Sequence, residues 1–414
     1  MPNEKYDITI IGAGVIGVAC AWYLNKAGYS VCIIDKGQAG RGASHANCGL
    51  ISPSHALPLT MPGVVAKGMK WMLKADSPFY VKPDLNFKKF RWLLKFAGRC
   101  NEKDMMQAMI GRKEILDSSR KLYDELFAAE EIDCEWEEQG ILFVYKDSKG
   151  MHEYEATNKL LNDYDLGATP YSGKELHDFE PALRDDVYGG WHYTMDAHLK
   201  PDLLMSEWLR ILRDKGVVIK ENTEIESMRP EAGKVQCADG EIRTNTIVIA
   251  TGAWSSDIGK MLGFKIPIQP GKGYSITMSP PKNPVRIPCI LQEAKMVVTP
   301  FQSAYRLGGT MEFSGFDDSL NPKRLDAIRK NAAEYIKDPE GDLVTEQWCG
   351  WRPMTWDGLP IIDQSPAYDN VFIAAGHNML GLSMAPATGK LITEIIKGDE
   401  PHIDARHFKY QNKM

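Results

Sequence analysis

The chain has 414 residues, which exceeds the size that one hydrophobic core usually organises, so two domains are expected. Its content of 43% hydrophobic and 25% charged residues excludes disordered and fibrous proteins. The formal net charge of -6 argues against nucleic-acid binding, because phosphate backbones are held by positive surfaces.

The cysteines and the apolar segments indicate the compartment. None of the eight cysteines belongs to a CxxC pair, so the sequence predicts neither a metal site nor a disulfide framework. The first residues carry no export signal, and no apolar run reaches the roughly 18 residues of a membrane span. We therefore expect a cytoplasmic protein with reduced thiols.

The N-terminal elements predict a dinucleotide-binding βαβ unit. Residues 6–11 indicate a buried strand, residues 18–28 a helix, and residues 30–35 a second strand. In such a unit the first glycine permits a tight turn, the second lets a diphosphate approach the backbone, and the third lets helix and strand pack closely. An acidic residue at the end of the second strand binds the ribose. The residues that fit this fingerprint are Gly12, Gly14, Val15, Ile16, Gly17, Asp35 and Lys36.

The middle of the chain alternates between helical and strand-rich regions. Residues 62–130 are mostly helical in pattern and predict an insertion outside the nucleotide fold. Residues 140–145 predict a strand, residues 201–215 a helix and residues 266–314 several strands. No fixed repeat or linker is evident, so we expect two domains with the chain crossing between them.

Later strands favour FAD over a nicotinamide cofactor. A nicotinamide domain usually completes itself in one block, whereas strands here return near residues 217, 246 and 371. Two of these strands end in glycine, as expected where backbone lies close to a cofactor. Taken singly, a glycine after a strand is more often an ordinary turn. The residues after these strands that we assign to the cofactor are Thr251, Gly252, Trp254 and Gly376.

Seven segments in order resemble one family over nearly the whole chain. They are GAGVIG with Asp35-Lys36, GASHANCGLISPSHALPLTMPG, IVIATGAW, PGKGYSIT, RLGGTMEF, GWRPMTWDGLPII and AAGHNMLGLSMAPATGKLI. The sequence resembles the D-amino-acid oxidase superfamily of flavoproteins, most closely its bacterial D-amino-acid dehydrogenase branch.

The resemblance implies an α/β fold. It would combine a doubly wound, Rossmann-like FAD domain of the glutathione-reductase type with an interleaved α+β substrate domain on a mainly antiparallel sheet. The expected FAD domain comprises residues 1–60, 190–262 and 346–414, and the substrate domain comprises residues 61–189 and 263–345.

The resemblance also implies further cofactor contacts. A loop over the diphosphate and flavin ring, a backbone position beside the adenine, and a turn beside the flavin pyrimidine edge are expected. These are Ser44, Asn47, Cys48, Gly49 and Leu50 for the loop, Ile225 for the adenine, and Met379, Leu380, Gly381 and Leu382 for the turn. For His377, a structural role is as well supported as tuning of the flavin.

Three residues are expected at the substrate. By resemblance, Arg352 clamps the substrate carboxylate through a bidentate pair, while Tyr274 and His55 border the pocket; the alternatives are a structural ion pair for Arg352 and packing roles for the other two. Arg306 is expected to face solvent or a carboxylate.

Departures from the family pattern bear on the substrate and on flavin attachment. Glycine oxidases carry an arginine where this chain has Met379 and an aromatic hydroxyl where it has Val298, so a more apolar pocket is implied. The cysteine that binds flavin covalently in sarcosine oxidases falls at Gly350, and Cys349 is out of register. Dissociable FAD is therefore expected.

The expected reaction is hydride transfer from the α-carbon of an amino acid, expected to be a D-amino acid, to FAD, with electrons passing to a quinone-type acceptor or oxygen. No pairing of a histidine with a carboxylate is evident in the motifs, so the amine is expected to enter neutral. The alternatives are an oxidase or dehydrogenase of imino or secondary amino acids, such as D-proline, hydroxyproline, sarcosine or glycine, and a noncatalytic flavin subunit.

The basic, aromatic segment at residues 87–99 has two interpretations. One is a helix that lies on the anionic inner face of the cell membrane. The other is an amphipathic helix packed into the substrate domain.

Overall fold

The computed structural model describes residues 4–72 and 79–413. The strands in this part of the chain are β1 (Glu4–Ile11), β2 (Val31–Ile34), β3 (Leu50–Ile51), β4 (Phe79–Val81), β5 (Ile141–Tyr145), β6 (Thr169–Ser172), β7 (Gly189–Tyr193), β8 (Ala197–His198), β9 (Val218–Lys220), β10 (Ile225–Arg229), β11 (Lys234–Cys237), β12 (Gly240–Ile249), β13 (Gln269–Met278), β14 (Cys289–Leu291), β15 (Met296–Pro300), β16 (Tyr305–Phe313), β17 (Val344–Met354), β18 (Ile361–Gln364) and β19 (Val371–Ala375). The helices are α1 (Val15–Lys26), α2 (Val64–Met72), α3 (Phe87–Arg99), α4 (Glu102–Ala129), α5 (Ser148–Asn162), α6 (Gly173–Phe179), α7 (Pro201–Asp214), α8 (Ser255–Met261), α9 (Pro322–Ala333) and α10 (Gly381–Lys397).

The first sheet is built around parallel strands in the order β9-β2-β1-β12-β19. Strand β18 joins β19 antiparallel, and the hairpin β10-β11 pairs with the start of β12. The register places Ile11 beside both Ile34 and Ile249, so three strands end at one edge of the sheet. The predicted returns of the chain to the nucleotide-binding sheet are confirmed.

Two helices that follow strands of this sheet pack tightly against each other. Helix α1 follows β1 and α10 follows β19, and residues of both belong to one buried core. A Cβ on Gly389 of α10 would lie 2.6 Å from the backbone of Ala19 on α1, so the close approach requires glycine. Both helices therefore begin at the same edge of the sheet, where the strands end.

The second sheet has nine strands, in the order β17-β13-β16-β15-β14-β5-β7-β6 with β4 beside β16. The pairs β14-β5 and β16-β4 are parallel and the other neighbours are antiparallel. A parallel first sheet beside a mainly antiparallel second sheet confirms the predicted fold class.

Two features were not expected from the sequence. The longest described strand, β17, includes the start of the GWRPMTWDGLPII motif, for which the sequence predicts no strand, and it pairs with β13 along its whole length. Helix α4, in the segment predicted to stand outside the nucleotide fold, shares a core with α1, and its Tyr123 hydroxyl donates to Leu382 O of α10 at 2.7 Å. The domain boundaries remain a prediction.

Candidate functional site

A cavity of about 700 Å³ lies between the strand ends of the first sheet and strands β13 and β17 of the second. Ligands of open parallel sheets bind at this edge, outside the carboxyl ends of the strands. Every residue that the sequence assigned to the cofactor lines this cavity except Gly17 and Gly376. These two glycines instead allow close packing, because a Cβ would overlap the Gly12 carbonyl or lie 2.6 Å from the Thr355 methyl group.

The first glycine turn can hold a diphosphate against its backbone. Gly12 has φ +108°, and a Cβ there would lie 2.5 Å from Ala250 O. The Asp35 carboxylate accepts the Ala13 and Gly37 amides at 2.7 and 2.9 Å, which fixes the carboxylate at the cavity wall. Each oxygen retains a second lone pair, with which it could accept a ribose hydroxyl.

The first turns of α1 and α10 both border the cavity. Neither helix has an acidic residue in its first turn, and neither N-cap residue, Gly14 or Leu380, provides a side-chain cap. The Val15 amide donates to Ser44 Oγ at 2.9 Å. The N-terminal ends of helices carry partial positive charge and free amides, so the two ends suit a diphosphate and an anionic ring, respectively.

The loop from Ser44 to Leu50 is held in place from behind. Ser275 Oγ donates to Ala46 O at 2.8 Å, and Arg306 Nη1 donates to Asn47 O at 2.7 Å. Arg306 is 1% exposed and lies 3.6 Å from Asp202. The expectation of a carboxylate neighbour for Arg306 is confirmed, and the expectation of solvent is wrong because the side chain anchors this loop.

The adenine side of the cavity has an aromatic rim. Ile225 lines the cavity where β10 begins, beside Thr223. Lys36 Nζ lies 4.2 Å above the Trp254 ring, which stacks on Phe316 at 5.1 Å and meets Trp351 edge-on at 5.6 Å. This arrangement closes one end of the cavity with flat, apolar surfaces.

One polar residue in the wall was missed by the sequence analysis. Ser52 is 1% exposed and lines the cavity, and among the described residues its Oγ has no hydrogen-bond partner. Buried hydroxyls usually have a partner, so this one suits a polar atom of a bound molecule. With the glycine turn and the two helix ends, the cavity fits FAD. Position 52 lies two residues after the predicted loop, and no spacing rule singles it out.

Arg352 lies on β17 with its guanidinium inside the cavity wall. Its Nη1 donates to Thr310 O at 2.8 Å, and a Cβ on Gly273 would overlap the guanidinium. Thr310 has φ +67°, a rare conformation for a β-branched residue, and it sits where the β13-β16 register shifts. Burial lowers the pKa of Arg352. Within residues 4–72 and 79–413, no Asp or Glu forms an ion pair with it.

Tyr274 lies on the same strand as Gly273, but its side chain points away from Arg352. Successive side chains of a strand alternate between faces, so β13 has a cavity face (Gly273 and Ser275) and a back face (Lys272 and Tyr274). The Tyr274 hydroxyl donates to Glu312 Oε2 at 3.1 Å within the back-face core. Tyr274 therefore borders the cavity through its backbone, and its hydroxyl is engaged elsewhere, which corrects the expected substrate contact.

His55 lines the cavity as predicted. It lies in a short 3-10 helix, Pro53–Ala56, with its ring 5.4 Å from that of Phe143. Burial and the nearby Arg112 lower the pKa of His55 to about 4, so the imidazole is neutral at physiological pH.

The substrate end of the cavity is apolar, although one position differs from expectation. Ile290 and Val297 line the cavity, whereas Val298 points into the core behind the sheet. The aliphatic lining is thus provided by the neighbour of the predicted residue. Cys349 also packs on the back-face core, and its Sγ contacts Asp318 O at 3.5 Å.

His377 is a structural residue by its contacts. Its Nε2 lies 2.9 Å from Thr388 Oγ1, which itself donates to Met384 O at 2.9 Å, so the imidazole must be the donor. Burial lowers the pKa of His377 to about 3. A neutral ring that ties the turn to α10 agrees with the structural alternative.

Comparisons with known proteins agree with this geometry. Residues 7–395 match the DAO family, described as FAD dependent oxidoreductase. The chain is 32% identical over 410 residues to a D-amino acid dehydrogenase of Xanthobacter autotrophicus, covering 96% of each protein. It is 30% identical over 418 residues to a D-amino acid dehydrogenase of Agrobacterium fabrum, covering 96% of this chain and 97% of the relative.

Solved structures share the fold. Glycine oxidase from Geobacillus kaustophilus superposes with a TM-score of 0.79 at 22% identity, covering 98% of both chains. L-Proline dehydrogenase from P. horikoshii superposes with a TM-score of 0.73 at 21% identity, covering 98% of this chain and 97% of that one.

Proposed function

The chain belongs to the DAO family of FAD-dependent oxidoreductases, and from this premise we propose that it dehydrogenates D-amino acids to the corresponding imino acids. The relatives that share 30 to 32% of its sequence over 96% of the chain are D-amino acid dehydrogenases, which supports the choice of substrate. The shared fold does not select the handedness of the substrate, because proteins that act on L-amino acids have it as well.

The uncompensated charge of Arg352 is the observation that carries this proposal. A guanidinium removed from water normally pairs with a carboxylate, since an unpaired buried charge is unfavourable. None of the described carboxylates pairs with Arg352, and its Nη1 donates to two uncharged acceptors, Thr310 O at 2.8 Å and Met311 Sδ at 4.0 Å. A ligand that brings its own carboxylate would complete the pair, and the planar guanidinium can bind it through two parallel hydrogen bonds.

The described residues would orient the substrate as follows. FAD, when bound, supplies the acceptor for the hydride. Arg352 holds the substrate carboxylate, and Ile290 and Val297 offer aliphatic contacts to its side chain. Fixing the carboxylate and the side chain leaves one face of the α-carbon toward the acceptor, which is the contribution of orientation to the rate. The imino acid leaves and is hydrolysed to the 2-oxo acid.

Anaerobic bleaching of the bound flavin tests the proposal. The protein is mixed under argon with D-amino acids, their L-enantiomers, and D- and L-proline and hydroxyproline, and the flavin absorbance is followed. We expect D-amino acids with aliphatic side chains to bleach the flavin fastest. Faster bleaching by proline analogues would replace the proposal with imino-acid oxidation. Bleaching by dithionite alone would indicate a noncatalytic subunit.

We further propose that the electrons pass to a membrane quinone and that α3 brings the protein to the bilayer surface. Helix α3 packs inward through Trp92, Leu93 and Phe96, as one of the two interpretations predicted. A second apolar stripe of the helix faces outward: Phe87 is 84%, Phe90 50% and Leu94 73% exposed. Leu85, just before the helix, is 89% exposed. Trp92 packs inward instead, against Phe313 and Met354.

Cations flank this stripe, so an anionic lipid surface is the partner that its chemistry fits. Lys88 and Arg91 are exposed, whereas Lys89 is buried, pairs with Asp84 at 2.8 Å and donates to Lys82 O. An amphipathic helix with aromatic and basic residues binds such surfaces without crossing them. Among the described helices, none is both long and apolar enough to span a bilayer.

Sedimentation with vesicles tests the surface contact. We expect the protein to sediment with vesicles that contain phosphatidylglycerol and not with phosphatidylcholine alone. Phe87→Ser with Leu94→Ser should abolish binding, and Lys88→Gln with Arg91→Gln should weaken it. Val218→Ser on β9, 36% exposed and outside the stripe, is the matched control. Equal sedimentation of all variants, or none of the unmodified protein, would refute the contact, and rapid peroxide formation in air would refute the quinone acceptor.

A further inference from the structure

A buried carboxylate lies behind His55, on the side away from the cavity wall. Asp196 is 1% exposed and sits between β7 and β8. Its Oδ2 accepts the Ser54 hydroxyl at 2.5 Å, and its Oδ1 accepts the Ser54 amide at 3.0 Å. Ser54 Oγ also lies 3.3 Å from His55 Nδ1. Asp196, Ser54 and His55 therefore form a continuous hydrogen-bonded chain that ends at the cavity.

The donors in this chain fix the tautomer of His55. When Asp196 is ionised it can only accept, so the Ser54 hydroxyl donates to it. Ser54 Oγ is then an acceptor toward His55, and Nδ1 must carry the ring proton. The other nitrogen, Nε2, keeps its lone pair and can accept a proton at the cavity.

We propose that His55, Ser54 and Asp196 form a relay that removes the ammonium proton of the substrate, with Asp196 as the final acceptor. The inference rests on the proposed function and extends it to the substrate's ionised form. The N–H bond of the substrate breaks as Nε2–H forms, the Nδ1 proton passes to Ser54 Oγ, and the former Ser54 proton passes to Asp196 Oδ2. No electrons move, and the substrate becomes the neutral amine from which a hydride can leave.

The surroundings of Asp196 suit this role. Asp196 interacts electrostatically with Tyr154 and Tyr193, whose hydroxyls lie 2.5 Å from each other, and with the Arg120 guanidinium of α4. Burial raises the pKa of Asp196 to about 7, although the bonds from Ser54 oppose the shift. A carboxylate with this pKa can take up and release a proton near neutrality.

The pH profile of kcat/KM is the first test. In the unmodified protein the acceptor is already protonated below about pH 7, so kcat/KM should fall as the pH drops through this value. In Asp196→Asn only substrate that arrives neutral can react, so the fall should begin near the pKa of the free substrate amine. At pH 7 we expect a loss of about a hundredfold.

Ser54 variants separate the relay from a structural role. Ser54→Ala removes the hydroxyl but keeps the hydrogen bond from the backbone amide of residue 54 to Asp196. It should shift the pH profile of kcat/KM as Asp196→Asn does. Ser54→Thr keeps a hydroxyl and should retain the original profile. Glu180→Gln is the matched control, because Glu180 is a fully buried carboxylate with a raised pKa that does not line the cavity. An unchanged profile in both Ser54→Ala and Asp196→Asn would overturn the relay.

A measurement without turnover distinguishes failure of the relay from failure of the proposed function. In protein labelled with ¹⁵N-histidine, the His55 signals are identified among those of the nine histidines by their loss in His55→Gln. They should report the Nδ1–H tautomer at pH 8 and the Nε2–H tautomer at pH 6, and the change should vanish in Asp196→Asn. An invariant tautomer would overturn the relay, even if D-amino acids bleach the flavin.

Discussion

Buried cations lie on both sides of strand β13, but only on the back face is a cation paired with a carboxylate. On the back face, Arg324 lies 4.0 Å from Glu312, which also accepts from Tyr274. On the cavity face, Arg352 has a backbone carbonyl as its acceptor. The compensated charges belong to the framework, and the uncompensated charge lies where a ligand can reach it.

The largest effects should come from replacing each of the two arginines, Arg352 and Arg324, by methionine. Arg352→Met removes the charge that binds a carboxylate, so kcat/KM should fall by about a thousandfold, close to 4 kcal/mol. Arg324→Met leaves Glu312 buried without this cation and should lower the free energy of unfolding by about 3 kcal/mol. Steady-state kinetics with a dye acceptor and urea unfolding measure the two effects. A large kinetic loss in Arg324→Met would remove the distinction between the faces.

A smaller effect is expected from adding one carbon to either face. In Gly273→Ala the new methyl group overlaps the Arg352 guanidinium and must displace it, so kcat/KM should fall by up to about a hundredfold. In Gly309→Ala the methyl group lies 3.2 Å from Met296 Cβ on the back face, and kinetics should change little. Equal kinetics for the two variants would show that the position of Arg352 tolerates this displacement.

The smallest effect is expected for Tyr274→Phe. The hydroxyl that is lost bonds Glu312 on the back face, so the free energy of unfolding should fall by about 1 kcal/mol. We expect kcat/KM to stay within about threefold, because a hydrogen bond made only outside the cavity contributes nothing to the transition state. A drop in kcat/KM without loss of stability would return Tyr274 to the substrate site.

The comparison of faces also explains what the sequence could predict. The glycine turn, Asp35 and the returning strands follow local rules, and the fold that they indicated is confirmed. The resemblance places Tyr274 at the substrate, with a packing role as the alternative. Which face it occupies depends on the pairing of β13 with β17, a strand that the pattern of residues 344–354 did not reveal.

Contacts between residues distant in the chain could not be predicted from the sequence for the same reason. Asp196 meets Ser54 across 142 residues, and neither residue belongs to a spacing pattern that marks a pair. The exposed stripe of α3 was recognised as amphipathic, but amphipathicity alone does not say whether the apolar side faces a core or the surroundings. The orientation of the helix is known only from the structure, in which Trp92 and Lys89 are buried and the stripe is exposed.

The tryptophans that line the cavity allow FAD binding to be followed by the protein's own fluorescence. Trp254, Trp348 and Trp351, three of the ten tryptophans, line the cavity wall. An isoalloxazine ring bound in the same cavity would absorb their emission, so adding FAD to the apoprotein should lower the tryptophan fluorescence without any attached dye. The dissociation constant and the FAD loading of each variant can thus be measured without a label.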